Sequence, residues 1–119
     1  MQPSPEVRSW LAIVARRLET AADLLHDVGM AHDDTARLLV LERDIYHVAM
    51  KVRARRFGLL PPTVDFRRAL FVLQRAACHA SRQVPDVVRF DVELVCAALA
   101  AIILDVFEVG AFAAKARLS

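Results

Sequence analysis

Glycine is scarce in this chain. There are three glycines in 119 residues, Gly29, Gly58 and Gly110, so no glycine-rich loop is present to cradle a phosphate. The five prolines fall at positions 3, 5, 61, 62 and 85, which leaves long stretches free of helix breakers. No segment alternates apolar and polar residues between Gly or Asn punctuation, so strands are not expected. Neither a repeat of fixed period nor a low-complexity tract occurs. The two cysteines, Cys78 and Cys96, each stand inside an apolar helical segment, a placement that predicts reduced buried thiols rather than a secreted disulfide framework. The first residues lack a basic segment followed by an apolar one, so no leader is expected and the default compartment is the cytoplasm.

Apolar surface is what the chain has in excess. Hydrophobic residues make up 56% and mean hydropathy is +0.35, against about 45–50% in ordinary globular chains. A chain this long folds as one domain, 1–119, and buries ~65% of its unfolded surface without metal or disulfide staples. The surplus implies self-association, most simply a homodimer, or a standing protein partner. Its densest part is Leu94 to Leu104, eleven consecutive apolar residues. A helix carrying that run is apolar on every face, so one flank packed on its own domain cannot hide it. At ~1.5 Å per residue the run spans ~16 Å, about half a bilayer core, and Glu93, Asp105 and Glu108 bracket it with charges costly in lipid. Membrane insertion is therefore not expected, and the helix is central in a bundle or shared with a second chain.

Four helices are expected, at roughly 5–28, 34–57, 63–83 and 86–117. Ser4, Pro5 and Glu6 open the first with a capping hydroxyl, a proline whose missing N–H costs nothing there, and a carboxylate at the positive helix end. Its stripe of Leu11, Val14, Leu18, Leu25 and Val28 recurs at three- and four-residue spacing, and Gly29 is expected to end it. Asp33 and Asp34 can cap the second helix, with Leu38, Leu41, Ile45, Val48 and Val52 on its inner face, until Gly58 and the Pro61-Pro62 pair stop it. Pro62 and Thr63 open the third, striped by Phe66, Leu70, Leu73 and Ala77, and Pro85 separates it from the fourth. Short connections between helices of similar length favour an all-α, antiparallel (up-down-up-down) four-helix bundle.

That topology brings the start of helices 1 and 3 and the end of helices 2 and 4 to one pole, which gathers Arg8, Lys51, Arg53, Arg55, Arg56, Arg67, Arg68, Lys115 and Arg117. The opposite pole gathers Glu19, Asp23, Asp27, Asp33, Asp34, Asp86, Asp91 and Glu93, a segregation hidden by the overall charge of +2. Helix-dipole matching accounts for part of it, but Arg67 and Arg68 occupy a first turn, where positive charge is disfavoured. Arg53, Arg55, Arg56, Arg67 and Arg68 are thus the candidate contacts for an anion or a nucleic-acid backbone. Trp10, Phe107 and Phe112 are the candidate self-association residues, since aromatics anchor interfaces and these three map to the end where helices 1 and 4 meet.

No constellation for chemistry emerges. Asp23 to His26 and Asp44 to His47 place acid and imidazole on one helix face, but at different heights of an antiparallel pair, and the inward glutamates of a di-iron bundle are missing. Met50 stands where a histidine phosphotransfer domain has lysine after its histidine, with Lys51 one place late. Arg43 to His47 and Arg75 to His79 are one residue short of the spacing in HEPN-type ribonucleases. Asp105 and Glu108 share a direction on an apolar helix and need cationic partners, Arg16 and Arg17 or Arg67 and Arg68. The expectation is a non-enzymatic interaction or regulatory protein with no cofactor and no metal. The alternative is a nucleic-acid-binding accessory protein using the basic pole, and a metal-binding or catalytic bundle ranks third.

Overall fold

In the computed structural model of the protein, capping chemistry sets the helix ends as its residue types demand. Ser4 Oγ accepts a hydrogen bond from the Val7 backbone N–H at 3.3 Å, Pro5 takes the first helical position and Glu6 follows in the first turn of α1, Pro5–Ala31. The second helix, α2, is Ala36–Arg56. It ends in a paired C-cap: the Gly58 N–H donates to the Arg55 carbonyl at 3.0 Å and the Leu59 N–H to the Ala54 carbonyl at 2.9 Å. Gly58 supplies the left-handed turn this requires, with φ of 73°, a conformation that costs any residue with a Cβ. α3 is Phe66–Gln83 and α4 is Asp86–Leu118. The structure describes residues 4–31, 36–59 and 66–118, with side chains described up to Asp105 except that of Ala36. The caps expected at Asp33, Asp34 and Thr63 lie outside these residues, as do His32, Pro61, Pro62 and Asp65.

Gly29 does not end α1, which continues to Ala31. A glycine stops a helix when its φ turns positive, and among the described residues Gly58 is the glycine that does so. At Gly29 the helical conformation costs only ~1 kcal/mol, while Leu25 and Val28 just before it are buried in the core.

Each helix touches its two sequence or ring neighbours, α1 with α2, α2 with α3, α3 with α4 and α4 with α1, and among the described residues neither diagonal pair is in contact. The four therefore form a square bundle around one core. Val14, Leu18 and Leu25 of α1, Leu38, Ile45 and Val52 of α2, Leu70 of α3, and Val88, Val92, Val95, Leu99 and Ile102 of α4 are among its fully enclosed side chains. Side-chain pairs between α1 and α2 descend along one helix as they climb the other, Glu19 with Arg53, Asp23 with Tyr46 and His26 with Glu42, so this pair is antiparallel. The α3–α4 pair is antiparallel too, turning through Val84 and Pro85. There the Arg89 Nε donates to the Ser81 carbonyl at 3.2 Å, satisfying a group near the end of α3. Helix lengths are unequal. At ~1.5 Å per residue the 33 residues of α4 account for the 52 Å long axis, and the 18 residues of α3 reach little more than half as far.

The cysteines correct the sequence reading. Cys78 of α3 and Cys96 of α4 are joined as a disulfide, with Cα atoms 5.9 Å apart, and are not reduced thiols. Both were rightly placed on apolar helices. Their mutual approach follows from the tight turn at Pro85, which folds α4 back on α3 and brings two positions 18 apart in sequence to one level. That separation means little until the hairpin exists.

Candidate functional site

The fourth helix carries two rows of apolar side chains. Val88, Val92, Val95, Leu99 and Ile102 recur at alternating four- and three-residue steps and are buried. A second row, Val87, Phe90, Leu94, Ala97, Ala101 and Leu104, recurs at steps of three and four on the other side of the helix. Its members are all exposed: Val87 71%, Phe90 68%, Leu94 45% and Leu104 65%, with Ala97 and Ala101 open to solvent between them. The apolar run read in the sequence thus divides: one half completes the core and the other faces outward along some five turns of helix. That outward row extends sideways into a groove between α1 and α4 of ≈ 580 Å³, lined by Ile13, Thr20 and Leu24 on one side and Leu94, Ala98 and Ile102 on the other. Arg16 and Arg17 border the groove, and Arg17 forms an ion pair with Asp105. The two groups are 36% and 45% exposed, so the pair orients α4 against α1 more than it stabilises the fold. This is one of the pairings anticipated for Asp105. Glu108 has its side chain outside the described residues.

Of the three residues expected to drive self-association, the structure describes one side chain, that of Trp10. Trp10 is half-buried and packs against the core, while Phe107 and Phe112 lie on α4 beyond the described side chains. Val87, Phe90 and Leu104 were not singled out from sequence. Their signal was legible, since continuing the three-and-four spacing from Leu94 in both directions reaches all of them.

The described members of the expected basic set differ in their surroundings. Arg53 donates to Glu19 at 2.6 Å, which joins a member of the expected basic pole to a member of the expected acidic one. The segregation inferred from topology is weaker than expected because Glu19 stands midway along the 27-residue α1, level with the end of α2. Arg56 lies over the Phe57 ring at 5.0 Å from its centroid, Arg55 is half-buried and Arg67 is exposed. Arg68 borders a second groove, between α2 and α3, of ≈ 480 Å³, together with Lys51 and His47, with Asp44 the acidic residue on its rim.

Along the α1–α2 seam runs a ladder of polar pairs. The Tyr46 hydroxyl donates to Asp23, and that hydrogen bond, with burial and the charges of Asp23, Glu42 and Glu19, pushes the phenol up to about 12. His26 Nδ1 meets Glu42 at 2.8 Å, and His79 meets Gln83 at 2.9 Å. His26 is thus engaged across to α2 and His79 along α3, and among the described residues no three His, Cys, Asp or Glu side chains converge as a metal site would require. Nor, among the described residues, is any helix long and apolar enough to cross a membrane. Compared with protein-family models, with curated proteins and with solved structures, the chain matches none.

Proposed function

We propose that this chain is a non-enzymatic interaction module that works by self-association, with the outer apolar row of α4 as its contact surface. The observation that carries the reading is the continuous exposure of Val87, Phe90, Leu94 and Leu104 along one helix face. A fully exposed side chain of this kind gains roughly 1.5–3 kcal/mol on complete burial, of which these keep the part set by their remaining exposure, and isolated exposed apolar residues are common whereas an aligned row of them marks an interaction face. The row has no hydrogen-bonding or titratable group at its centre, so it suits a protein surface and offers nothing to a small polar substrate. Light-scattering mass across a concentration series tests this. The mass should rise from the chain value of 13.3 kDa towards twice that, and a constant single-chain mass up to several hundred micromolar would refute it.

A second reading, binding of a nucleic-acid backbone or another polyanion, draws its support from Lys51, Arg68 and His47 around the α2–α3 groove. It accounts for the placement of Arg68 in a first helical turn, which helix electrostatics disfavours. Co-purified nucleic acid at low salt, released as salt rises and read from absorbance at 260 and 280 nm, would put this reading first. As to compartment, cytoplasmic residence was expected from the first residues, and the Cys78–Cys96 bridge weighs against it, since disulfides persist mainly in oxidising compartments.

A further inference from the structure

The outer row of α4 is symmetric about its own midpoint. Reflected through the point between Val95 and Cys96, Val87 exchanges with Leu104, Phe90 with Ala101 and Leu94 with Ala97. Two copies of α4 laid antiparallel on a two-fold axis through that point would set each large side chain of the inner four positions against an alanine. We infer that the occupant of this face is a second copy of the same chain, packed α4 on α4 in that antiparallel register. The inference rests on the proposed self-association and specifies how it occurs.

Three features bear on it. The first is steric: Phe90 and Leu94 are exposed and protrude, while Ala97 and Ala101 leave room for them, so the rows interdigitate with the helix axes at the close end of the usual ~8–10 Å range. In parallel pairing Phe90 would meet Phe90 and Ala97 would meet Ala97, which crowds one level and leaves a void at the next. The second is electrostatic. Asp91, on the α1 side of α4, falls opposite the uncharged Ala100 of the other copy, on the edge where Arg16 borders the groove, and acid lies level with acid at the outer ends of the row, Asp105 with Asp86. Glu93, on the other edge, falls opposite Ala98 and faces no like charge. The third is area. From their fractional exposures Val87, Phe90, Leu94, Leu104 and Ile13 present roughly 550–600 Å² per copy, to which the exposed Ala97 and Ala101 add, approaching the ~800 Å² per partner of a stable complex. A two-fold contact of this kind closes on itself and stops at two copies.

Disulfide trapping between introduced thiols tests the register. The native cysteines are paired with each other, so Val87→Cys and Leu104→Cys each add one free thiol, at the two ends of the row. Under mild oxidation a mixture of the two variants should give the mixed dimer, and neither variant alone should cross-link appreciably, because each thiol sits ~26 Å along the axis from its own counterpart at ~1.5 Å per residue. Ala97→Glu, beside the axis, should give a single-chain mass with unchanged helix content by far-ultraviolet circular dichroism, and a melting curve that no longer depends on protein concentration. Efficient self-linking of Leu104→Cys would overturn the antiparallel register while leaving self-association intact. A wild-type dimer that neither cross-links in the mixture nor responds to Ala97→Glu would place the contact elsewhere, and a wild-type monomer would overturn both this register and the proposed function.

Discussion

Reduction of the Cys78–Cys96 bridge should destabilise the protein by about 3 kcal/mol. The bridge closes a segment of 18 residues, and restraining a loop of that size in the unfolded chain removes entropy that corresponds to ~3 kcal/mol at 25 °C. Residual hairpin structure in the unfolded chain, favoured by the two-residue turn at Val84 and Pro85, lowers the figure, since ends already held near each other have less freedom to lose. With a denaturant slope of ~1–2 kcal/mol/M, typical of a domain this small, the urea midpoint should fall by roughly 2 M on reduction. The comparison is made on wild-type protein followed by far-ultraviolet circular dichroism, with and without reductant. A Cys78→Ala, Cys96→Ala variant serves as a control whose midpoint must not respond to reductant. Cys96 also packs against the core, so the variant loses some contact as well as the bond, and the oxidised and reduced wild type are the decisive pair. Midpoints that coincide, or two titratable thiols in the native protein as isolated, would show that the cysteines are unpaired and that the original thiol reading was right.

The protein has one tyrosine, so tyrosinate absorbance reports Tyr46 alone. Its midpoint should lie near 12 and return towards 10 in Asp23→Ala. Because the folded value is raised, the Tyr46–Asp23 bond contributes fully below pH 10 and its contribution is lost as pH rises from 10 through 12, so wild type and Tyr46→Phe should converge in stability over that window. Leu99→Ala, at a fully enclosed site, should cost ~2–5 kcal/mol in urea unfolding. By contrast Phe90→Ala, at a site 68% exposed, should change monomer stability by less than ~0.5 kcal/mol. It should nonetheless weaken the dimer by ~3–6 kcal/mol, one side chain lost on each copy, and so raise Kd by two to four orders of magnitude in sedimentation equilibrium. Ser4→Ala should cost about 1 kcal/mol through loss of the α1 cap, measured by the same unfolding curves.

Local rules carried the chain a long way. Apolar periodicity, the Ser4-Pro5-Glu6 start and the Gly58 stop are written in residue types whose effect is exerted within one or two turns, and helices at almost the expected bounds followed from them. The inner faces were equally legible, because a residue at the right spacing on a helix of a small bundle has only one direction that leads away from water. Gly29 shows the limit of such rules: its preference to end a helix is worth about as much as a single buried contact, and the packing of Leu25 and Val28 prevailed.

Tertiary structure alone decided what meets what. The pairing of Cys78 with Cys96, of Arg53 with Glu19 and of Arg17 with Asp105 depends on the level at which one helix lies beside another, and no spacing along the chain encodes a level. The same holds for the surface of α4. The sequence by itself required that the Leu94–Leu104 helix be covered on more than one side. Only the bundle determines which half of it is covered, because four helices in a square enclose the inner face of each and leave the outer face to solvent or to another molecule.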